Sequence, residues 1–549
     1  MNEVSVNQMQ HNRFDHRSAL VDCEINVKVS SAILFDVKAI CISERSPNPT
    51  EVIDPESTTP WDSVDLTAST FDSVTSPLAF SGYPSFNQEQ EQPDHAQERL
   101  ISYAEVQKHT LADDCWVIIE GNIYDITSFL KIHPGGEQAI LTEAGKDATE
   151  IFSKLHPSDA LSTLPQEALI GAVDPTTLPA PEEKVLTEEE ERRQAAREEM
   201  PDAHQMLLLQ DFEYWAEQVL SDTAWSYYRS ATDEERSFRE NREAFSRYFF
   251  RPRILRDMSI GSTETSFLGI PVTMPIFIAP AAMAKLGHPL GEINLTKAAG
   301  EYGIVQAISA NASCTLEELF NARKDGQPLV FQIYLNKDRS ASASLLQKVE
   351  RLGAKAIIFT VDTLGDSKRT MDVRGKLNAT KGAPAPRTPL GVGAAISGYQ
   401  ARDMTWSDID FIRSNHGGRQ ADYAPAPLDI LYEMRALRPD LFLKTEVMID
   451  GGIRSGADVV KALALGAKAV GLGRPFLYAN GTHGQDGCSR VIEILHEEIT
   501  NTMRNLGAST IQELKPEMVG PAGAWVGANR PLYAPAISGN SSHDQRSRL

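Results

Sequence analysis

The stretch from Ser414 to Asp422, Ser-Asn-His-Gly-Gly-Arg-Gln-Ala-Asp, holds residue types suited to proton chemistry on a small acid. Its histidine, His416, is the side chain most easily tuned as a base near neutral pH. Arg419 offers a planar fork that can hold a carboxylate by two parallel hydrogen bonds. The glycines between them let a flat ligand approach the backbone closely. A base beside a carboxylate clamp is what the oxidation of a 2-hydroxy acid requires, whereas a polar loop is the simpler interpretation of His-Gly-Gly alone.

A second candidate site lies far upstream and is built on two histidines. His133 opens the sequence His-Pro-Gly-Gly, and His156 follows 23 residues later. Two imidazoles that face each other across an apolar pocket can fill both axial positions of a haem iron. The alternative is a pair of surface histidines, each followed by proline, with no ligand role.

Composition limits the classes of protein to consider. The 549 residues are too many for one domain, and 41% hydrophobic with 23% charged residues is ordinary for a globular protein. The net charge of -22 argues against a nucleic-acid partner and against an anionic membrane surface. No apolar run is long enough to predict a membrane span. The five cysteines form no metal-binding spacing and indicate scattered thiols of a reducing compartment.

The amino-acid composition and hydrophobic pattern change several times along the sequence, which predicts five segments. Residues 1–98 are rich in Ser, Thr, Pro, Asp and Gln and predict a largely disordered region, except for a short apolar, β-like piece from Ala32 to Ile42. Residues 99–175 have a compact α+β pattern, and residues 176–204 form an acidic linker or exposed helix that joins two domains. Residues 205–520 form a second domain, and residues 521–549 are a tail.

The second domain alternates apolar strands with amphipathic helices, which indicates a parallel sheet. This pattern favours a (β/α)8 barrel, whose active site lies at the carboxyl ends of the strands. Helices are predicted near Glu292–Tyr302, Thr315–Ala322, Ala341–Leu352 and Ala457–Leu465. The predicted strands are Pro275–Pro280, Ile304–Ser309, Val330–Leu335, Ala356–Asp362, Glu446–Gly452 and Ala469–Pro475.

Two family resemblances rest on these motifs. The run from Trp116 through His-Pro-Gly-Gly to His156 resembles the cytochrome b5 domain, which implies haem b with His133 and His156 as the iron ligands. The stretch around His416, together with Ile449-Asp450-Gly451-Gly452-Ile453-Arg454 and Gly471-Leu472-Gly473-Arg474-Pro475-Phe476, resembles the FMN-dependent 2-hydroxy-acid dehydrogenases and oxidases. The two resemblances together cover about three quarters of the chain and imply a haem domain followed by a TIM barrel that binds FMN.

The second resemblance implies roles for individual residues. His416 is the base, Asp362 orients it, and Tyr334 joins them as a catalytic group. Two tyrosines and two arginines hold the substrate: Tyr227, Tyr334, Arg369 and Arg419. Nine residues contact FMN: Ser309, Gln332, Thr360, Asp450, Gly451, Gly452, Arg454, Gly473 and Arg474. Glycine amides and arginines at the last two strand ends independently suit a phosphate group.

The barrel pattern has a gap between Arg413 and Ser414. The family places a lysine-bearing strand, a helix and another strand before the Ser-Asn-His-Gly-Gly motif, and this sequence has none of them. Only six barrel strands are predicted, so two strand edges of the wall should lack partners. Lys444 is the nearest substitute for the lysine, but it precedes a strand at the opposite end of the barrel. We attribute the gap to a skipped exon or a faulty gene model.

The resemblances imply a function and leave a competing one. The expected activity is oxidation of a small L-2-hydroxy acid such as L-lactate, with electrons passing through FMN and haem to a cytochrome c-like acceptor, in a homo-oligomer and specifically a tetramer. The competing hypothesis is a haem-binding protein whose flavin barrel is degenerate and inactive. A polar residue, Asn311, stands in the predicted substrate pocket where the family has an apolar one.

Two signals address localisation. The carboxyl-terminal Ser547-Arg548-Leu549 differs by one conservative change from the peroxisomal Ser-Lys-Leu address. The amino-terminal residues contain Arg13 and Arg17 but also acidic residues, which mitochondrial presequences avoid. We therefore favour the peroxisome over the mitochondrial intermembrane space, with the cytosol as a third alternative.

Overall fold

The computed structural model describes residues 30–34, 39–43, 100–131, 133, 137–179, 186–259, 261–361, 368–379, 392, 398–404 and 425–521. The predicted catalytic stretch 414–422 lies outside the described residues, and so do Asp362 and the tail from residue 522. Among the helices of these ranges, none combines the length and apolar character that crossing a membrane demands.

The small domain is a five-stranded sheet with three short helices. Strands Asp114–Ile119 and Asn122–Asp125 form a hairpin, as predicted. Its turn uses Glu120 and Gly121, both with positive φ, which suits the twist of a tight hairpin. The strands lie in the order Leu100–Ile101, Leu169–Val173, Asn122–Asp125, Asp114–Ile119 and Thr110–Leu111, and the helices are Tyr103–Val106, Glu137–Leu141 and Thr149–Leu155.

The two faces of this sheet bury two separate apolar clusters. Val117 and Ile119 point to one cluster and Ile118 points to the other, because successive strand residues face opposite sides. The cluster with Val117 also contains Ile126 and Leu130 and lies on the side of the helices. The small domain therefore has a core of its own.

The acidic linker contains the helix Glu188–Glu199, which begins with a capping box between Thr187 and Glu190. This helix packs along helix Leu209–Val219 of the second domain. Arg193 contacts Asp222 at 2.6 Å, and Arg197 donates to the carbonyl of Val219 at 3.1 Å. The second half of the linker is thus attached to the barrel domain.

Six parallel strands form an arc of the barrel wall, and all six lie within the predicted runs or one residue beyond them. They end one to three residues earlier than predicted, because the chain leaves the wall at these points to form the loops above it. In spatial order they are Glu446–Asp450, Ala469–Leu472, Ile276–Ile278, Val305–Ile308, Leu329–Ile333 and Ala356–Thr360. The prediction that segment 205–520 lacks about two of the eight strands is confirmed for its described residues.

Helices surround this arc, and small elements close its lower end. The antiparallel pair Thr265–Phe267 and Ile270–Val272 packs below the strands against Phe277 and Val330. A second pair joins Tyr248–Phe250 to Val519–Pro521. The helices are Leu209–Val219, Asp222–Arg229, Arg236–Glu243, Glu292–Tyr302, Leu316–Ala322, Arg339–Leu352, Thr370–Ala379, Pro427–Leu437, Leu441–Lys444, Gly456–Ala464 and Arg474–Leu506.

The gap in the arc is filled by an unexpected element, the N-terminal hairpin, formed by strands Ser30–Leu34 and Ala39–Ser43. Strand Ala39–Ser43 pairs antiparallel with Ala356–Thr360, and strand Ser30–Leu34 pairs parallel with Glu446–Asp450. The expectation of two unpaired edges was therefore wrong, because a segment far away in sequence supplies both partners. The hairpin coincides with the predicted β-like piece from Ala32 to Ile42.

Candidate functional site

A cavity of about 350 Å³ opens at the carboxyl ends of the barrel strands. All twelve of the predicted flavin and substrate residues that the structure describes lie in its wall, although they come from separate strands and loops. They are Tyr227, Ser309, Gln332, Tyr334, Thr360, Arg369, Asp450, Gly451, Gly452, Arg454, Gly473 and Arg474. We call this space the barrel cavity.

One wall of the barrel cavity is a row of three hydrogen-bonded polar side chains on neighbouring strands. Gln332 donates from Nε2 to Oγ1 of Thr360 at 2.6 Å. Its Oε1 accepts from the Oγ of Ser309 at 3.3 Å and from the backbone N–H of Ala310 at 3.1 Å. These contacts fix the orientation of the amide, and all three side chains are buried. Such a row can read the hydrogen-bonding edge of a flat ring with little cost in side-chain entropy.

Glycines on the opposite side make room for a ligand and for a close backbone approach. Gly452 has φ of 84°, and a Cβ there would lie 1.9 Å from the carbonyl oxygen of Asn241. Only glycine fits this position. A Cβ on Gly473 would meet nothing within 4 Å. Gly473 caps the helix that begins at Arg474, and the amino-terminal end of this helix, which favours an anion, lines the cavity.

Arginines make this end of the barrel cavity strongly electropositive. Arg474 donates to the carbonyls of Tyr228 at 3.0 Å and Ser230 at 3.1 Å. Burial, opposed by Tyr478 and reinforced by the charges of Arg369, Arg454 and Arg229, lowers the pKa of Arg474 to about 10. A bound anion would relieve this repulsion and favour the charged guanidinium. The arrangement fits a phosphate group.

Three of the four predicted substrate residues line the barrel cavity, and the fourth, Arg419, lies outside the described residues. The guanidinium of Arg369 lies 4.8 Å from the ring centroid of Tyr227 and donates to the carbonyl of Ser230 at 3.1 Å. Tyr334 follows strand Leu329–Ile333 and is buried at 7% exposure. Asn311 is not among the described residues that line this cavity, and its amide oxygen accepts a hydrogen bond from Tyr399 at 3.0 Å. Its predicted effect on substrate preference therefore has no direct contact to support it.

Sequence analysis missed part of the cavity wall. Phe238, from the charged helix Arg236–Glu243, lies in the wall and carries two guanidinium groups over its ring, those of Arg229 at 4.2 Å and Arg474 at 4.7 Å. Asn241 and Arg242 of the same helix also line the cavity. The one available signal was a single aromatic residue in a helix otherwise made of charged and polar residues.

Three predicted catalytic or clamping residues, Asp362, His416 and Arg419, lie outside the described residues. Lys444 is described, and it belongs to helix Leu441–Lys444 with 73% of its side chain exposed beside Asp440. It does not line the barrel cavity, in agreement with the sequence analysis.

The two histidines of the small domain face each other. Their ring centroids lie 6.0 Å apart with an interplanar angle of 32°. An iron midway between two imidazoles, with metal–nitrogen bonds of about 2 Å, places the centroids roughly 6 Å apart, so the spacing fits bis-histidine haem ligation. Nδ1 of His156 donates to the carbonyl of Phe152 at 3.2 Å, which leaves Nε2 for a metal. Burial lowers the pKa of His156, and the neighbouring His133 adds to this effect while the Phe152 carbonyl opposes it.

The small domain docks on the carboxyl-terminal end of the barrel. Helix Thr149–Leu155, which immediately precedes His156, lies against the turn Ala284–Leu286. This turn follows the segment from Ala279 to Ala282 in the wall of the barrel cavity. Asp159 also approaches Lys348 of the barrel domain at 3.7 Å. The two candidate sites are therefore separated by a single turn of the chain.

Comparison with protein families identifies both domains. Residues 216–414 and 407–521 match the FMN-dependent dehydrogenase family, and residues 102–174 match the cytochrome b5-like haem/steroid-binding domain. The chain belongs to the FMN-dependent dehydrogenase family and carries a cytochrome b5-like domain in front of the flavin domain. The family match falls into two pieces that meet at residues 407–414, where the sequence predicted a missing segment.

The chain is similar to individual proteins over most of its length. The chain is 38% identical to the L-lactate dehydrogenase (cytochrome) of Wickerhamomyces anomalus, over 75% of this chain and 78% of that protein. It is also 38% identical to the Saccharomyces cerevisiae protein of the same name, over 76% and 79%. Among solved structures it resembles a flavocytochrome b2 variant with pyruvate bound, with 35% identity, a TM-score of 0.55 and coverage of 66% of this chain and 100% of that one.

These matches agree with the cofactors that the sites fit. FMN belongs to the barrel domain and haem to the small domain. The residues present suit both groups: a buried polar row and an arginine–glycine cup in the barrel, and an imidazole pair at metal-ligating distance in the small domain.

Proposed function

We propose that this chain oxidises a small L-2-hydroxy acid of the L-lactate type to the 2-oxo acid, and that the electrons leave through the haem domain to a cytochrome c-like acceptor. The observation that carries this proposal is the contact between helix Thr149–Leu155 and the turn Ala284–Leu286, which brings the histidine pair next to the barrel cavity. A bis-histidine iron has no open coordination position, so its role is to pass electrons.

The residues of this chain divide the work of the reaction. The substrate carboxylate is held by Arg419, with Tyr227 and Arg369 at the cavity mouth. His416 removes the proton, and Asp362 orients it and stabilises its protonated form. When bound, FMN accepts two electrons and haem passes them on singly. The Ser309–Gln332–Thr360 row holds the flavin ring, and the Gly473–Arg474 helix start holds its phosphate.

A second candidate function has one observation in its favour. The family match falls into two pieces at residues 407–414, and the resemblance places the lysine-bearing strand at this break. A flavin domain without it could bind FMN poorly, and the chain would then act as a haem-binding protein. The two candidates make opposite predictions for a simple spectroscopic experiment.

The experiment is to purify the full chain, measure FMN and haem content, and add L-lactate without oxygen. The proposed function requires stoichiometric FMN, bleaching of the flavin band and appearance of reduced haem. Haem without releasable FMN, or bound FMN that L-lactate does not reduce, would support the haem-binding alternative. His416→Gln should abolish flavin reduction with FMN retained, and Arg419→Lys should slow it strongly because a point charge replaces a bidentate fork.

A version of the chain with the missing segment restored gives the matched comparison. The strand, helix and strand of a relative are inserted between Arg413 and Ser414, and transcripts are sequenced across the same junction. Higher FMN content and faster flavin reduction in the restored chain would assign the defect to the gap. Equal rates in both chains would show that the N-terminal hairpin replaces the missing strands functionally.

Assembly and localisation are also proposals. The family resemblance supports a homotetramer, which sedimentation of the purified chain tests directly. The Ser547-Arg548-Leu549 terminus supports the peroxisome. A fluorescent protein fused to the N-terminus, with Leu549 left free, should give puncta that disappear when the last three residues are deleted. Diffuse or mitochondrial fluorescence from the intact tail would contradict this localisation.

A further inference from the structure

A buried carboxylate, Glu292, forms hydrogen bonds with two separate loops of the barrel. Its side chain is 1% exposed and lies in the first turn of helix Glu292–Tyr302. Oε1 accepts from the backbone N–H of Ala284 at 3.0 Å and of Ser313 at 2.9 Å. Oε2 accepts from the Oγ of Ser313 at 2.8 Å and from the N–H of Cys314 at 3.2 Å. Both oxygens are therefore engaged by neutral donors inside the protein.

The two loops that Glu292 joins both begin in the wall of the barrel cavity. The first follows strand Ile276–Ile278, passes Ala279–Ala282 in the wall and reaches Ala284. The second follows strand Val305–Ile308, begins with the cavity residue Ser309 and reaches Ser313. The Oγ of Ser313 also accepts from the N–H of Lys285 at 2.9 Å. A displacement of either loop would thus be transmitted to the other.

The same turn is held from its other side. Nδ2 of Asn480 donates to the carbonyl of Ala284 at 3.0 Å, and the hydroxyl of Tyr228 donates to the carbonyl of Met283 at 2.7 Å. Met283 has φ of 61°, a left-handed conformation that costs energy for a side chain of this size. Both backbone polar groups of Ala284 are therefore fixed by buried side chains. A turn held this firmly is suited to a task that demands a defined position.

Resting on the function proposed above, we infer that Glu292 is a positioning residue for electron transfer from flavin to haem. It fixes the turn Ala284–Leu286, which lies between the barrel cavity and the helix that precedes the haem ligand His156. In this step one electron leaves the reduced flavin and converts ferric haem to ferrous haem, and no bond is made or broken. The rate depends on the separation of the two groups, and the turn sets this separation.

The test compares Glu292→Gln with a matched control, Glu318→Gln. An amide at position 292 keeps a carbonyl oxygen for the N–H groups of Ala284 and Ser313. Its NH2 group replaces the oxygen that accepts from Cys314, so that hydrogen bond is lost and the Ser313 hydroxyl must turn from donor to acceptor. Glu318 is also a glutamate in the first turn of a helix. Within the described part of the chain, its carboxylate accepts only from its own N-cap residue, Thr315. The control therefore perturbs a comparable carboxylate without touching the turn Ala284–Leu286.

The measurement is haem reduction after light-driven photoreduction of the flavin in the full chain, normalised to bound FMN. Glu292→Gln should slow this transfer by about tenfold, because the buried N–H of Cys314 loses its acceptor and the population of the docked turn falls by that factor. Glu318→Gln should leave it unchanged. Unaltered transfer in Glu292→Gln, or equal slowing in both variants, would overturn the inference. Photoreduction needs no substrate, so failure of the chain to oxidise L-lactate leaves this result interpretable.

Amide hydrogen exchange gives a second readout that does not require FMN. The N–H of Cys314, which loses its acceptor, should exchange much faster in Glu292→Gln than in the unaltered chain. The N–H of Glu318, which donates to the Oγ of Thr315, should keep its exchange rate in that variant. Unchanged exchange at Cys314 would show that the carboxylate does not hold the loop, and would overturn the inference even where the flavin is absent.

Discussion

The haem domain and the flavin barrel of this chain differ in how far apart in the sequence the residues of each site lie. In the haem domain both ligands come from a short, self-contained segment with two apolar clusters of its own. The barrel cavity draws its wall from residues between Tyr227 and Arg474, and its closure depends on a hairpin near residue 40. The loss of a segment from the barrel therefore leaves the haem site intact. It can disrupt the flavin site, because that site depends on a closed barrel wall.

The largest effect is expected at the iron ligands. His133→Ala and His156→Ala should each abolish the low-spin haem spectrum, because one imidazole cannot fill both axial positions. A fragment of residues 98–175 should bind haem by itself, since its core does not depend on the barrel. The same two substitutions should abolish the low-spin spectrum of this fragment. Absorption spectra of the purified fragment check this. A low-spin spectrum that survives either substitution would refute the assignment, and FMN content of the full-length variants should not change.

Deletion of residues 1–45 should affect the barrel and leave the haem domain untouched. The deletion exposes the backbone edges of Ala356–Thr360 and Glu446–Asp450, which the N-terminal hairpin pairs. FMN content should fall to about a tenth or less, with haem content unchanged. The matched control keeps the hairpin and replaces residues 46–97 by a flexible Gly-Ser linker of the same length. Equal FMN content in the two variants would show that the hairpin does not complete the wall.

Gly452→Ala should destabilise the barrel by roughly 2 to 6 kcal/mol, because it combines a left-handed backbone with a clash against the Asn241 carbonyl. Gly473→Ala is the control, since its backbone angle is allowed and its Cβ would meet no protein atom. Thermal unfolding without FMN should separate the two variants. FMN binding should weaken in both, because each glycine lines the phosphate end of the cavity. Equal melting temperatures would contradict this account.

The smallest effect is expected at the contact between the domains. Lys348 lies 3.7 Å from Asp159 of the haem domain and 3.1 Å from Glu317 of the barrel. An exposed ion pair contributes at most about 1 kcal/mol and is screened by salt. Lys348→Ala should therefore slow haem reduction by no more than about fivefold, and Glu317→Gln should leave it unchanged. A large effect of Lys348→Ala would show that this ion pair, and not the turn Ala284–Leu286, is the main docking contact between the domains.

Sequence patterns were sufficient to predict the strands and helices whose formation depends on local periodicity. The six strands and the helices between them follow from apolar runs and caps, as in the capping box of Thr315 and Glu318. The glycine and arginine positions of the phosphate end also followed from motif spacing. Phe238 and Glu292 were not foreseen, because their roles arise from contacts with residues distant in sequence. The β character of Ala32–Ile42 was predicted, but no local pattern indicates that its partners are Ala356–Thr360 and Glu446–Asp450.

The N-terminal hairpin has a consequence for the order in which this chain folds. Its backbone partner Glu446 is more than 400 residues from Ala32. A strand that is synthesised early can therefore pair only after a strand near the end of the barrel domain has been synthesised. Contacts of such separation form slowly, because the closure entropy of the intervening chain must be overcome first. Until then the hairpin strands are open to pairing with other chains. The haem domain, complete once residue 177 has emerged, does not share this exposure on the ribosome.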